Sequence, residues 1–227
     1  MAFSLVQSAT PNVQTSTTIV GTYGSNNAAG NLLLLVVSWA TDATTDIVSV
    51  TDTAGNTWEI IESAQNVPTG DIGVAAYQVT SAIAGANAVT VTLGASVASG
   101  LAIAEFSSSG TRTLNDTSAV VDDAADADVV AAAVTSVASS NLVVALVGSV
   151  ASRALTGDSP WTAIDAGQRA SMLYNLAYPA GSTIPSGTWS SSTREAVIAA
   201  TWSEQLTGSG GGGRGLIAAR FRRPRCR

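Results

Sequence analysis

Residues 30–39 read GNLLLLVVSW, and a related segment, SNLVVALVGS, occupies residues 140–149. Both segments are apolar at nearly every position, whereas a strand with one face in water alternates between apolar and polar residues. Each is about half the length of the roughly 20-residue helix that crosses a bilayer. We therefore expect no membrane span. Instead, each segment should form a central β-strand that is covered on both faces or by a neighbouring domain.

The rest of the chain also favours β-structure. Hydrophobic residues make up 46% of the 227 residues and charged residues only 11%, and short β-branched runs are separated by Gly, Asn, Asp, Ser or Pro. The alternating segment AVTVTLG at 88–94 predicts a strand with one buried face. The alanine-rich segment 122–140 has helical propensity, but its valine pairs and its Ser/Thr-rich end favour a strand. The fold class is predicted to be all-β.

An internal repeat relates the two halves of the chain. Four landmarks recur in order, pairing Asn31 with Asn141, Trp58 with Trp161, Tyr77 with Tyr178 and Phe106 with Trp202. The separation falls from 110 to 96 residues along the chain, as shorter loops in the second copy would produce. We predict two tandem antiparallel β-sandwich domains, jelly-roll or Ig-like, at residues 1–112 and 113–207, followed by a Gly/Arg-rich arm at 208–227.

The composition excludes several kinds of catalytic site. The chain has no histidine and its ten basic residues are all arginine, so Ser–His–Asp catalysis, histidine metal sites and lysine Schiff bases are ruled out. A carboxylate pair of the glycosidase type stays open, although no local spacing identifies one. We predict a protein that is not an enzyme, with no catalytic residues, cofactor or metal. Cys226 is the single cysteine, so no intramolecular disulfide can form.

The segment TDTAGNTW at 51–58 combines short polar side chains with a glycine. A β-hairpin turn explains each residue, because Asp and Asn can accept or donate local hydrogen bonds and Gly55 can adopt a positive φ. The alternative is a hard cation such as calcium at Asp52 and Asn56, but the segment lacks the several spaced carboxylates of a calcium loop. The turn is the favoured interpretation.

The two ends of the chain differ in charge. Residues 1–213 hold four arginines against 16 acidic residues, a net charge of −12, whereas the last 14 residues hold six arginines. We expect the arm to add a strand to another subunit and to pair with carboxylates, through Arg214, Arg220, Phe221, Arg222, Arg223, Arg225 and Arg227. Alternatively, GLIAARF is the last strand of its own sandwich. Nucleic acid is not expected as a partner, because the acidic body repels phosphates.

An acidic cluster lies at the start of the second half, at Asp122, Asp123, Asp126 and Asp128. The simpler interpretation is a solvated negative edge that discourages aggregation between strands. The alternatives are a metal site or an acceptor for the arginine arm of a neighbouring subunit.

Aromatic residues recur at matching places in the two halves, as core anchors would. An alternative role for such residues is a sugar-stacking platform. Trp189 lies in the polar run SGTWSSS and has no partner in the first half. It is therefore the best candidate for an exposed contact.

These segments together resemble a known repeat. GNLLLLVVSW, followed by VTDTAGNTWEII, AAYQV, GANAVTVTL and LAIAEFSS, is similar to a β-sandwich repeat of bacteriophage virion proteins and of some bacterial surface proteins. The resemblance covers residues 17–108 well and 128–204 more loosely. It implies a scaffold for decoration, tail or adhesion roles and supplies no catalytic residues.

From this resemblance we expect a structural protein on the exterior of a phage particle, of the capsid decoration or cement type. Its partners would be the major capsid or tail proteins of the same virion, and it would form a homo-oligomer. The start, MAFSLVQSATPN, has no basic region or long apolar core, so we expect synthesis in the host cytoplasm without a signal peptide. The alternatives are a tail or fibre component and an adhesin module that binds a host-surface glycan.

Overall fold

The computed structural model describes residues 3–40, 46–65, 72–138 and 140–205. No helix occurs in these ranges, and none that could span a membrane is found there. The fold is all-β, as predicted. The described residues form fifteen strands: β1 (Ser4–Ala9), β2 (Gln14–Thr22), β3 (Leu32–Trp39), β4 (Ile47–Asp52), β5 (Glu59–Gln65), β6 (Gly73–Val79), β7 (Ala88–Ser107), β8 (Thr111–Asp128), β9 (Val134–Ser136), β10 (Asn141–Ser149), β11 (Leu155–Gly157), β12 (Thr162–Ile164), β13 (Ala170–Tyr178), β14 (Gly181–Thr183) and β15 (Gly187–Gln205).

The strands form two large antiparallel sheets and one small one. The first sheet has the order β1-β7-β3-β6-β5, with β2 and β4 also paired to β7. The second has the order β11-β15-β10-β13-β12, with β8 also paired to β15, and β14 pairs with β9 separately. The long strands β7 and β15 each change neighbours partway along their length. Residues 88–99 of β7 therefore join β2 and β4 in one layer, and its end joins β1 and β3 in the next.

Each half of the chain has a core of its own. In the first half, Leu33, Leu35 and Val37 of β3 pack with Ile19 of β2 and Val91 of β7. The second half builds the equivalent core from Val143, Ala145 and Val147 of β10, together with Leu155, Trp189 and Val197. The pattern is that of two β-sandwiches, which confirms the predicted fold class.

A third core joins the two sandwiches, and we call it the shared core. The even-numbered residues Leu32, Leu34 and Val36 of β3 face it from one side, and Leu142, Val144 and Leu146 of β10 face it from the other. Successive side chains of a strand point to opposite faces of its sheet, so β3 and β10 each supply a domain core with one face and the shared core with the other. This is why all eight residues of β3 and all nine of β10 are buried.

The two halves meet through equivalent residues. In the first sheet Leu32 is opposite Phe106, and in the second sheet Leu142 is opposite Trp202, as the repeat predicts. Across the shared core, the Phe106 ring packs edge-on against Tyr174 of β13, with 5.7 Å between ring centres. Trp202 of β15 makes the corresponding contact with β6, where its Nε1 donates to Gln78 Oε1 at 2.8 Å. Both contacts link the last part of a long strand to the opposite domain.

Two predictions about the first half of the repeat are wrong in detail. Tyr77 lies opposite Leu35, and Leu173 holds the corresponding place opposite Ala145, so Leu173 rather than Tyr178 is its equivalent. The segment 51–58 is not a hairpin, because β4 pairs with β7 whereas β5 pairs with β6. It carries the chain from one layer of the sandwich to the other, and Gly55 has the expected positive φ of 79°.

The alanine-rich segment is strand-like only in part. Residues 122–128 end β8 and Val134–Ser136 form β9, while the residues between them belong to neither strand. Val129 and Ala131 are nevertheless buried in the core of the second domain. Packing of these small apolar side chains therefore determines the position of the residues between β8 and β9, which the sequence pattern predicted as strand.

Arginine side chains and a close glycine contact also hold the domains together. Arg169 donates to the carbonyl oxygens of Ala98 in the first half and Val150 in the second, and Arg112 donates to those of Gly30 and Ser108. Gly148 of β10 faces Ser38 of β3 so closely that an added Cβ would lie 2.8 Å from the Ser38 Cβ. Two of the arginines outside the arm are therefore used inside the molecule.

We predict that Gly148→Ala destabilises the protein by about 1–3 kcal/mol, because the added methyl group overpacks the contact between β10 and β3. The matched control is Gly24→Ala, since nothing lies within 4 Å of a Cβ at that glycine. Urea unfolding of the two variants checks this. Equal midpoints would show that the domains can move apart without cost.

Candidate interaction site

Trp189 is buried, so its predicted role as an exposed contact is wrong. The side chain is 2% exposed and lies in the core of the second domain. Its Nε1 donates to Glu195 Oε2 at 2.6 Å. It lies opposite Leu155 of β11. Successive residues of a strand point to opposite faces, so the polar neighbours of Trp189 point outward while Trp189 itself points into the core. This alternation explains why a polar run surrounds a buried tryptophan.

Glu195 is a buried carboxyl group beside this tryptophan. It is 1% exposed, and its Oε1 accepts a hydrogen bond from the Val130 amide at 2.5 Å. The pKa of Glu195 is raised to about 7. Burial is the largest cause and the negative charges of Asp122 and Asp126 add to it, while the hydrogen bonds from Trp189 and Val130 act in the opposite direction. A raised carboxyl pKa is typical of catalytic acids, but the Glu195 side chain is almost fully buried.

Glu105 is a second buried carboxylate, in the apolar segment LAIAEF of β7, and it is fully buried. Its two oxygens accept hydrogen bonds from four donors: Gln7 Nε2 at 2.6 Å, Asn27 Nδ2 at 2.7 Å, the Ala28 amide at 2.9 Å and Asn31 Nδ2 at 2.6 Å. Burial alone would raise the pKa of Glu105, but these hydrogen bonds outweigh burial and lower it. The ionised carboxylate therefore fastens β1 and the segment before β3 to β7.

Asp52 has the same role at the crossing from β4 to β5. Its oxygens accept hydrogen bonds from the Asn56 amide at 2.9 Å, Asn56 Nδ2 at 2.7 Å, Trp58 Nε1 at 3.0 Å and Asn87 Nδ2 at 3.1 Å. Asn56 Oδ1 in turn accepts from the Ile83 amide at 2.7 Å. These contacts support the interpretation of Asp52 and Asn56 as turn residues, because N–H donors already surround the carboxylate that a cation would need.

Through these hydrogen bonds, the carboxylates of Glu105, Asp52 and Glu195 hold loops and strand bends in place. The sequence analysis did not identify Glu105 and Glu195 as buried carboxylates. The feature that could have indicated them is a single acidic residue inside an apolar strand, next to segments that contain amide side chains or tryptophan. No group of three or more Asp, Glu, Cys or His side chains that could hold a metal occurs within the described ranges.

The predicted acidic cluster lies at the end of β8. Asp122 is opposite Glu195, Asp126 is opposite Thr193 and Asp128 is opposite Thr188 of β15. The backbone of Asp123 belongs to the same strand, but its side chain is outside the described set. Asp126 and Asp128 are exposed and Asp122 is partly exposed. The structure therefore places three carboxylates along one strand at the edge of the second sheet.

The arm residues Arg214, Arg220, Phe221, Arg222, Arg223, Arg225 and Arg227 lie outside the described residues. Their expected contacts with a partner stay a prediction. The structure does show an acidic strand at a sheet edge. We call this strand, Thr111–Asp128, the acidic edge.

We predict that the stability of the protein falls as pH rises through the window set by Glu195. Between its ordinary pKa of 4.5 and the folded value of about 7, the folded state keeps a proton that the unfolded state releases, so rising pH favours unfolding. The loss over this window is roughly 3 kcal/mol. Urea unfolding at pH 4.5 to 8 should show it relative to Glu195→Gln, which lacks the titration, with exposed Glu59→Gln as the control. Parallel profiles for wild type and Glu195→Gln would contradict the assignment.

We expect Glu105→Gln to destabilise the protein by about 2–3 kcal/mol at pH 7. The amide group has one acceptor oxygen where the carboxylate has two, and its NH₂ would face two of the present donors. The loss should shrink in acid, because a carboxyl group whose pKa is lowered on folding stabilises the folded state only above that pKa. Thermal unfolding at pH 7 and pH 3, again with Glu59→Gln, tests this. Equal stability at pH 7 would show that the four hydrogen bonds have little net value.

Comparison with known proteins identifies no relative. The sequence matches no family model, no curated protein and no solved structure.

Proposed function

We propose that this chain is a non-enzymatic structural protein on the exterior of a bacteriophage particle, of the capsid decoration or cement type. The observation that supports this most is the shared core, to which both domains contribute Leu, Val and Ala side chains. Such a core turns two sandwiches into one stiff unit, which suits a protein that must hold its shape on a particle surface. The sequence resemblance to virion repeats supports the same role.

The distribution of charge supports attachment through the arm. Of the four arginines outside the arm, Arg112 and Arg169 bind carbonyl oxygens at the junction of the domains. The last 14 residues hold six of the ten arginines, and we take them as the basic group that a partner would bind. Guanidinium groups bind carboxylates in a two-pronged geometry that lysine lacks, so an acidic surface on a capsid or tail protein is the expected partner.

A glycan-binding adhesin is less well supported. Trp189 was the residue that favoured it, and this side chain is 2% exposed. A tail or fibre component fits the same stiff unit and arm, and it differs from a decoration protein only in its place on the particle.

The test is binding of the full chain to purified particles that lack it, followed by electron microscopy to locate it. We expect decoration of the capsid. A variant with glutamine at all six arm arginines should bind at least about tenfold more weakly, because several exposed ion pairs of up to about 1 kcal/mol each are lost together. The matched control replaces the same arginines with lysine, which keeps the charge.

Binding should also weaken as salt rises, since the screening length falls from about 8 Å at 0.15 M to about 3 Å at 1 M. Undiminished binding of the glutamine variant would contradict attachment through the arm. Location on the tail would replace decoration with the tail role, and failure to bind any particle would overturn the proposal.

A further inference from the structure

The acidic edge is the longest open strand among the described residues. β8 has 18 residues and pairs with β15, and no other described strand pairs with it. The other edge strands are shorter, the longest being β2 with nine residues. A long strand with one unpaired side presents a row of backbone N–H and C=O groups, which is a template for one more strand.

Charge restricts which strand can pair there. Asp116, Asp122, Asp126 and Asp128 lie along this edge. A second copy of β8 would place carboxylates against carboxylates and be repelled, because like charges on facing strands destabilise pairing. A strand rich in arginine would be attracted. The charge pattern therefore selects a basic partner strand and discourages pairing between two acidic edges.

The chain itself supplies a basic segment that starts close by. β15 ends at Gln205, which lies opposite Thr111, the first residue of β8. Residues 206–227 follow, with a glycine-rich part at 208–213 and arginines from Arg214 onward. The segment LIAARFR at 216–222 has the pattern of a short strand. The acidic edge and the basic segment thus begin from the same end of the second sheet.

The segment is long enough to lie along the edge of its own chain. Asp122 is 11 residues beyond Thr111, a distance of roughly 37 Å at about 3.4 Å per residue. The 15 residues from 206 to 220 can span up to roughly 50 Å. About 13 Å remains for the glycine-rich part to turn around the start of β8, so Arg220 can reach Asp122.

We propose that residues 214–226 dock along the acidic edge of their own chain as an additional strand, with arginines paired to the carboxylates of β8. The spacing supports this pairing: Arg214 and Arg220 are six residues apart, as are Asp116 and Asp122. The Asp116 Oδ2 already accepts a hydrogen bond from the Thr135 amide at 2.8 Å, so Arg214 would share this carboxylate with β9. Even spacing keeps each pair on one face of its strand. The chain's own arm is favoured over that of a second copy, because a short flexible linker provides an effective concentration in the millimolar range.

This docking adds a step to attachment. In the free protein the arm covers the edge that would otherwise invite aggregation, and on a particle the acidic surface of the partner competes for the same arginines. The docking concerns the free chain, so it can be tested without any particle.

Cys226 makes the test direct, because it is the only cysteine in the full chain. If Arg220 lies opposite Asp122, Cys226 lies close to Asp128, since both are six residues further on. A benzophenone maleimide on Cys226 should therefore, on illumination, crosslink to the tryptic peptide 113–153. Mixing ¹⁴N and ¹⁵N chains distinguishes the sources: same-label products support docking within one chain, and mixed-label products overturn it. A crosslink to another segment would also overturn it.

Matched variants separate charge from strand addition. Asp122→Asn with Asp126→Asn should lower the crosslink yield about fivefold, whereas the control, Asp46→Asn with Glu59→Gln, removes two charges from the first domain and should not change it. Ala218→Pro removes an amide donor without changing charge and should also lower the yield, in contrast to Ala218→Val. Equal yields for the first pair would exclude recognition by charge, and equal yields for the second pair would exclude a strand. Circular dichroism of each variant confirms that it is folded.

These results can be told apart from those on particles. A chain that decorates particles but shows no crosslink from Cys226 to β8 would keep the proposed function and lose this inference. A chain that shows the crosslink but has no affinity for particles would keep this inference and lose the proposed function.

Discussion

The structure depends on the burial of apolar side chains between its two large sheets. β3 and β10 sit in the middle of this arrangement, and each is apolar on both faces because each must fill two cores at once. Burying a leucine or valine side chain stabilises the folded state by roughly 1.5–3 kcal/mol, and the shared core contains many of them. Separating the domains would expose this surface to water, so burial of the shared core holds the two sandwiches together.

Equivalent residues of the two halves make different contacts around this core. Phe106 and Trp202 hold equivalent places, yet one packs on the ring of Tyr174 while the other donates to Gln78. An indole N–H that is buried needs an acceptor, and Gln78 supplies it where the other half has an aromatic ring. The same layout is thus kept with different chemistry on its two sides.

Polar groups inside the molecule are placed where strands bend or loops cross. Glu105, Asp52 and Glu195 each accept hydrogen bonds from segments distant in sequence, and an unpaired buried carboxylate would be costly. Glu105 has enough donors to stay ionised, whereas Glu195 has two donors and nearby negative charges, so their pKa values shift in opposite directions. Because these groups are committed to the fold, the proposed interaction with partners uses the edges of the sheets and the arm.

The sequence by itself determined that the chain is all-β, that its halves repeat, and that β3 and β10 are covered on both faces. These properties follow from patterns that the sequence shows directly: two-residue alternation, continuous apolar runs and landmarks that recur in the same order. Only the tertiary structure decided that Trp189 is buried, that residues 51–58 cross between layers, and that Glu105 and Glu195 are interior. Each of these depends on which distant strand lies opposite, as Leu155 does for Trp189 and Leu33 does for Glu105. The packing of whole sheets determines which distant strands pair, and a local sequence pattern does not contain this information.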